Sequence, residues 1–162
     1  MEALKNIILL VLLGWASYMD VRRREVNDRV WLLALLLCLP FTLHRLCSER
    51  FLVVHYLTSV ILSTLWVLLV AHVTSMGGAD VKAYLTISVL EVPAVPGPLP
   101  PALKVFVYSA LLSVTYVPLK MLIVRLRGGG RPAGIEWGRE TIPLIPYITA
   151  GYILYVLGLS VV

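Results

Sequence analysis

This sequence predicts an all-α polytopic membrane protein with about six transmembrane helices, on three observations. Of 162 residues, 59% are hydrophobic and only 14% are charged, with a mean hydropathy of +0.89. A soluble domain carries about 25% charged residues, so a chain of this size has no core large enough to hide the excess apolar surface. Second, the apolar residues gather into six segments long enough, or nearly so, for a crossing of about 20 residues. Third, the ionisable residues crowd the ends of those segments, and the polar stretches between them are short. One integral membrane domain over 1–162 is expected, with no separate soluble domain.

The six segments are 3–19, 30–46, 51–73, 80–96, 102–124 and 141–161. The first opens with Lys5 and Ile7–Leu13, like a secretory signal, but no A-x-A cleavage site follows and Arg22-Arg23-Arg24 resists translocation. It is read as a retained span. The third lies within the uncharged run Phe51–Met76, and the sixth is equally apolar; these two are the clearest. Arg45 interrupts the end of the second, and Glu91 and Pro93 the end of the fourth. Pro143 and Pro146 are expected to loosen the start of the sixth and free backbone groups there.

Basic residues set the orientation. Arg22, Arg23, Arg24, Arg29, Lys82, Lys120, Arg125, Arg127, Arg131 and Arg139 fall on one side of this arrangement, and Lys5, Arg45, Arg50 and Lys104 on the other. The positive-inside rule then puts the first group in the cytoplasm and both termini outside. The net charge of +5 is accounted for by topology and anionic headgroups, and no nucleic-acid partner is expected. Cys38 and Cys47 form no CxxC pair, so neither a redox nor a zinc motif is present. His55 and His72 have no clustered carboxylate or thiol and are read as packing or interfacial groups. No metal and no cofactor is expected. Trp15, Trp31, Trp66 and Trp137 are read as interfacial anchors or packing residues.

Two carboxylates carry the chemistry of this arrangement. Asp20 ends the first span and Asp80 begins the fourth, so both fall at one depth on the cytoplasmic side. A carboxylate held in protein within lipid is costly and usually functional. Two that meet cannot both ionise freely, which is the basis of aspartic-protease chemistry. Gly77 and Gly78, just before Asp80, give room for an extended peptide beside it, in backbone angles that other residues avoid.

The segments Asp20-Val-Arg-Arg-Arg-Glu-Val26 and Gly77-Gly78-Ala79-Asp80-Val-Lys82 together resemble the GxGD-type aspartic peptidases of the prepilin and preflagellin peptidase family. Asp20, Arg22 and Val26 match its first stretch, and Asp80 and Lys82 its Asp-x-Lys continuation. The span through Ile142-Pro-Leu-Ile-Pro146 to Gly151 is similar to its closing proline-bearing helix. Ala79 stands where the strict motif has glycine. The resemblance is strongest to the short archaeal branch, since the cysteine-bearing N-terminal domain of the bacterial enzymes is missing and N-methylation is not implied.

The resemblance implies removal of a short basic leader from a pilin-like or flagellin-like preprotein at the cytoplasmic face of the plasma membrane, with Asp20 and Asp80 catalytic. The bilayer and the preprotein are the expected partners. Glu25, Asp28, Glu136 and Glu140 are acidic groups on that side, available to a basic leader or simply solvated. Lys82, two positions beyond Asp80, is expected to meet a lipid phosphate or a loop carbonyl rather than the aspartates. Two other classes remain open: a small transporter or channel, which would place charged or broken helices near the midplane, and a non-catalytic assembly factor, which would need neither aspartate.

Overall fold

A computed structural model of the chain describes residues 2–74, 76–93, 99–126 and 144–158, with the backbone alone at Thr74 and along 116–126. Among these residues the protein is entirely helical. Its six helices are α1 (Glu2–Arg23), α2 (Asp28–Ser48), α3 (Leu52–Thr74), α4 (Gly78–Leu90), α5 (Pro101–Leu126) and α6 (Ile145–Val156). Each coincides with one apolar segment, and α1, α2 and α3 are long and apolar enough to cross a membrane. Glu136, Trp137, Glu140, Ile142 and Pro143 lie outside the described residues.

The boundaries differ from expectation where local chemistry decides them. Helix α1 continues past Asp20 to Arg23 and is closed by Arg24, whose φ of 57° and N–H bond to the Asp20 carbonyl (3.0 Å) are those of a left-handed cap. Asp20 therefore lies one turn inside the helix. Asn27 caps α2, its side chain accepting from the Arg29 N–H at 3.0 Å. Helix α4 stops at Leu90, ahead of Pro93, where 80–96 was expected to be one span. Its 13 residues reach about 20 Å, short of a hydrocarbon core of about 30 Å. Helix α6 begins at Ile145 with Pro146 in its first turn, where a missing N–H costs nothing. Pro146 thus seats the helix start rather than loosening it.

Helix α1 packs between α2 and α6, while α4 lies against α2, α3, α5 and α6. The buried stripe of α1 is Lys5, Leu9, Leu12, Leu13, Ala16 and Asp20, which is helical spacing on one face. Ala83, Tyr84, Ile87 and Leu90 of α4, Val105 of α5 and Ile145, Ile148 and Tyr152 of α6 complete the core. Helix α6 approaches α5 so closely that a Cβ on Gly151 would lie 2.9 Å from the Val105 carbonyl oxygen and 3.0 Å from the Ser109 nitrogen. Small residues permit such backbone approach between membrane helices. Val54, Ile61, Leu65, Leu69 and Val73 of α3 face outward, as suits a helix whose surroundings are lipid.

Each end of the bundle has its own polar set. One gathers Asp20, Asp28, Asp80 and Lys82. The other gathers Glu2, Lys5, Arg45 and Glu91. The sequence-based topology had already assigned Lys5 and Arg45 to a common side.

Candidate active site

Asp20 sits on the buried face of α1 with 8% of its surface exposed. Its carboxylate Oδ2 is fully buried and has no hydrogen-bond partner among the described residues. Such an oxygen costs about 1–3 kcal/mol, more if charged. Around it stand Ala16, one turn back, and Ser17, which is tied instead to α6. Ser17 Oγ donates to the Leu13 carbonyl at 2.8 Å and lies 2.7 Å from Thr149 Oγ1. Thr149 also donates to the Leu13 carbonyl at 3.3 Å. This bridge holds α1 against α6 one turn from Asp20.

Asp80 is half-buried in the first turn of α4. Its position follows from the Gly77 cap: Gly77 accepts the Asp80 N–H at 3.1 Å and the Val81 N–H at 3.2 Å. The Gly77 N–H in turn bonds the Asp80 carboxyl. An acidic side chain at the third helical position reaching back to the cap N–H is half of a capping box, and it points the carboxylate along the chain before the helix.

Asp20 and Asp80 lie within electrostatic range of each other. The sequence placed them at one depth, and the antiparallel run of α1 and α4 places them at one end. Trp31, at the same end of α2, is buried with its indole N–H likewise unpartnered among the described residues. It is a packing residue whose polar edge was not foreseen.

The two glycines differ. Gly77 has φ −62° and ψ 144°, ordinary extended angles, so the conformational freedom expected of it is not used. Space is what it supplies: a Cβ there would lie 3.0 Å from Asp80 Oδ2. Gly78 is exposed, and a Cβ there would meet nothing within 4 Å. Neither glycine adopts a positive φ.

Arg22 turns away from Asp20. It donates to the Tyr18 hydroxyl, with its guanidinium 5.8 Å from the centre of that ring. Lys82 bonds Asp28 at 2.5 Å rather than a lipid phosphate or loop carbonyl, because the α2 start brings an exposed carboxylate within its reach. Glu25 is exposed. His55 and His72 are exposed on α3, and no group of three His, Cys, Asp or Glu residues among those described is arranged to hold a metal. Cys38 is buried, Cys47 exposed, and both are free thiols.

At the other end lies a network not anticipated from the sequence. Lys5 is fully buried, with Nζ 3.2 Å from Glu91 Oε1, 2.9 Å from Glu2 Oε2 and 3.2 Å from the Leu90 carbonyl. Tyr152 donates to Glu91 Oε1 at 2.6 Å, and Thr42 to the Leu90 carbonyl at 2.8 Å. Arg45 lies 3.6 Å from Glu2. The signal was available: Lys5 and Glu91 interrupt two apolar runs that the topology brings to one side.

Two aspartates thus stand on antiparallel helices at one end of a helical membrane bundle, Asp20 buried and Asp80 half-buried. The model of the type IV leader peptidase family matches residues 7–118, more than half of the chain, and the chain belongs to that family. The match includes both aspartates and the Gly77–Asp80 turn. Neither the curated proteins nor the solved structures contain a match.

Proposed function

We propose that the chain is a membrane aspartic endopeptidase that removes short basic leaders from type IV prepilin-like or preflagellin-like precursors at the cytoplasmic membrane face, with Asp20 and Asp80 as its acid–base pair. The observation that carries this reading is the buried Asp20 Oδ2, without a partner among the described residues and within electrostatic range of Asp80. Family membership supplies the reaction class.

In the reaction, one carboxylate is ionised and takes a proton from water as its oxygen attacks the scissile carbonyl. The other is protonated and donates to the carbonyl oxygen. The tetrahedral product then collapses, the C–N bond breaks, and the amine leaves with a proton from the pair. Gly77 and Gly78 leave the edge beside Asp80 free of side chains, so an extended peptide can lie there. A basic leader followed by an apolar helix suits a site at a membrane boundary, with Glu25 and Asp28 as acidic groups near its path.

Purified protein in detergent, mixed with a tagged leader-bearing precursor, is expected to yield the shortened product. Asp20→Asn and Asp80→Asn should each abolish that cleavage while the thermal melt stays that of a folded protein. Undiminished cleavage by either variant would overturn the pair. Running prepilin-type and preflagellin-type precursors side by side assigns the substrate.

A further inference from the structure

The two aspartate-bearing helices are joined a second time, at the far end of the bundle. Lys5 lies near the start of α1 and Glu91 caps the end of α4, so the same two helices carry Asp20 and Asp80 at one end and the buried Lys5–Glu91 pair at the other. Lys5 and Asp20 are separated by about 22 Å of helix, and Asp80 and Glu91 by about 16 Å. Both pairs lie on buried faces. On α1 the stripe Lys5, Leu9, Leu13, Ala16, Asp20 is continuous, and on α4 Asp80, Tyr84, Ile87 and Glu91 follow the same helical spacing.

Helices α1 and α4 share the buried core, but their backbones do not approach closely along their length; each packs more closely on α2 and α6. Apolar core contacts are not directional, so they specify the sliding and tilt of α1 against α4 only weakly. A directional ion pair specifies them. Lys5 Nζ reaches both Glu91 Oε1 (3.2 Å) and the Leu90 carbonyl (3.2 Å), which fixes it to the α4 terminus in two places. Tyr152 Oη, bonded to Glu91 at 2.6 Å, ties the same carboxylate to α6. A buried ion pair is weak evidence for stability, because desolvation offsets much of its attraction; fixing register is the better-attested use.

From this geometry we infer that Lys5 and Glu91 are positioning residues for the peptidase reaction: their buried ion pair sets the register of α1 against α4 and thereby the approach of Asp20 to Asp80 at the opposite end. The inference rests on Asp20 and Asp80 being the reacting pair. Lys5 and Glu91 lie at the end of the bundle opposite the two aspartates.

The test separates register from simple stability. Lys5→Met alone leaves a buried, uncompensated Glu91, so both melting temperature and kcat should fall. The double variant Lys5→Met/Glu91→Gln removes both charges and keeps volume and an acceptor for Tyr152, so the melting temperature should recover. Its kcat should nevertheless remain about tenfold to a hundredfold low with KM unchanged, the signature of misplaced reacting groups. Recovery of kcat together with melting temperature would overturn the inference and leave the pair a structural element only.

A second readout does not depend on activity. Spin labels on Val21→Cys and Lys82→Cys, in a Cys47→Ser background where Cys38 is buried, report the distance between the two helices beside the aspartates. The distribution should shift or broaden in the double variant. An unchanged distribution would likewise overturn the inference. Cleavage surviving in Asp20→Asn or Asp80→Asn would instead sink the acid–base assignment, whatever the labels report.

Discussion

The two ends of α1 and α4 bury charge in opposite ways. At one end Lys5 and Glu91 meet each other, and Tyr152, Glu2 and the Leu90 carbonyl occupy their remaining donors and acceptors. At the other, Asp20 keeps a buried oxygen with no partner among the described residues, and the charge acting on Asp80 beside it is of the same sign. Burying charge is costly anywhere in a membrane bundle. Where partners offset the cost, the group serves the fold; on the function proposed above, Asp20 keeps its oxygen for water and substrate. The same pair of helices thus has a settled end and, on the proposed function, a reactive end.

The largest effect should come from removing a charge at the reactive end. Asp20→Asn keeps volume and shape, so it is expected to lower cleavage by about a thousandfold or more while leaving the melting temperature unchanged or raised. The matching change at the settled end should reverse the pattern. Tyr152→Phe deletes a buried 2.6 Å hydrogen bond to Glu91 and is expected to cost about 1–3 kcal/mol of stability, read as a lower midpoint in thermal or SDS unfolding. If Asp20→Asn destabilised the protein as much as Tyr152→Phe, the contrast between the ends would fail.

The sequence disclosed these ends unequally. Helix existence was legible because lipid demands long apolar runs, and all six segments became helices. The α4 terminus was not, since Val92, Ala94 and Val95 are as apolar as a helix interior and the expected span was carried past the breaks at Glu91 and Pro93. Asp20 and Asp80 stood out because each borders a charge-free run and a polar turn. Lys5 and Glu91 were missed for a physical reason: each looked like an ordinary interruption in its own segment, and only packing pairs them. Gly77 was singled out for its backbone freedom, yet what matters is the missing Cβ beside Asp80. Lys82 was expected to face lipid or a loop because nothing in the sequence brings Asp28 of another helix within its reach.

The glycine turn offers a finer probe of the reactive end. A Cβ on Gly77 would press on Asp80 Oδ2 at 3.0 Å, so Gly77→Ala should move the carboxylate and lower kcat about tenfold. At Gly78 the added methyl enters open space. Gly78→Ala should leave kcat intact and raise KM if the peptide passes over this edge. Steady-state kinetics on the two variants separates the roles, and an equal loss of kcat at both positions would show that the turn acts as one unit.

The smallest effect belongs to the ion pair at the reactive end, and it sharpens the comparison most. Lys82–Asp28 joins α4 to α2 as Lys5–Glu91 joins α4 to α1, with the same charge types and a shorter separation of 2.5 Å. Distance alone would rank it the stronger. Exposure decides otherwise: the side chains are 48% and 75% exposed, whereas those of Lys5 and Glu91 are 0% and 5% exposed. Water and salt screen the exposed pair, and ordering two mobile side chains offsets much of what remains, so Lys82→Met should change stability by no more than about 1 kcal/mol. Its effect on the melting temperature should shrink further as salt is raised. Lys5→Met, made with the same residue types, should show a large effect that salt barely alters. Equal sensitivity of the two variants to ionic strength would mean that water reaches both pairs, and that the ends do not differ in the way their burial implies.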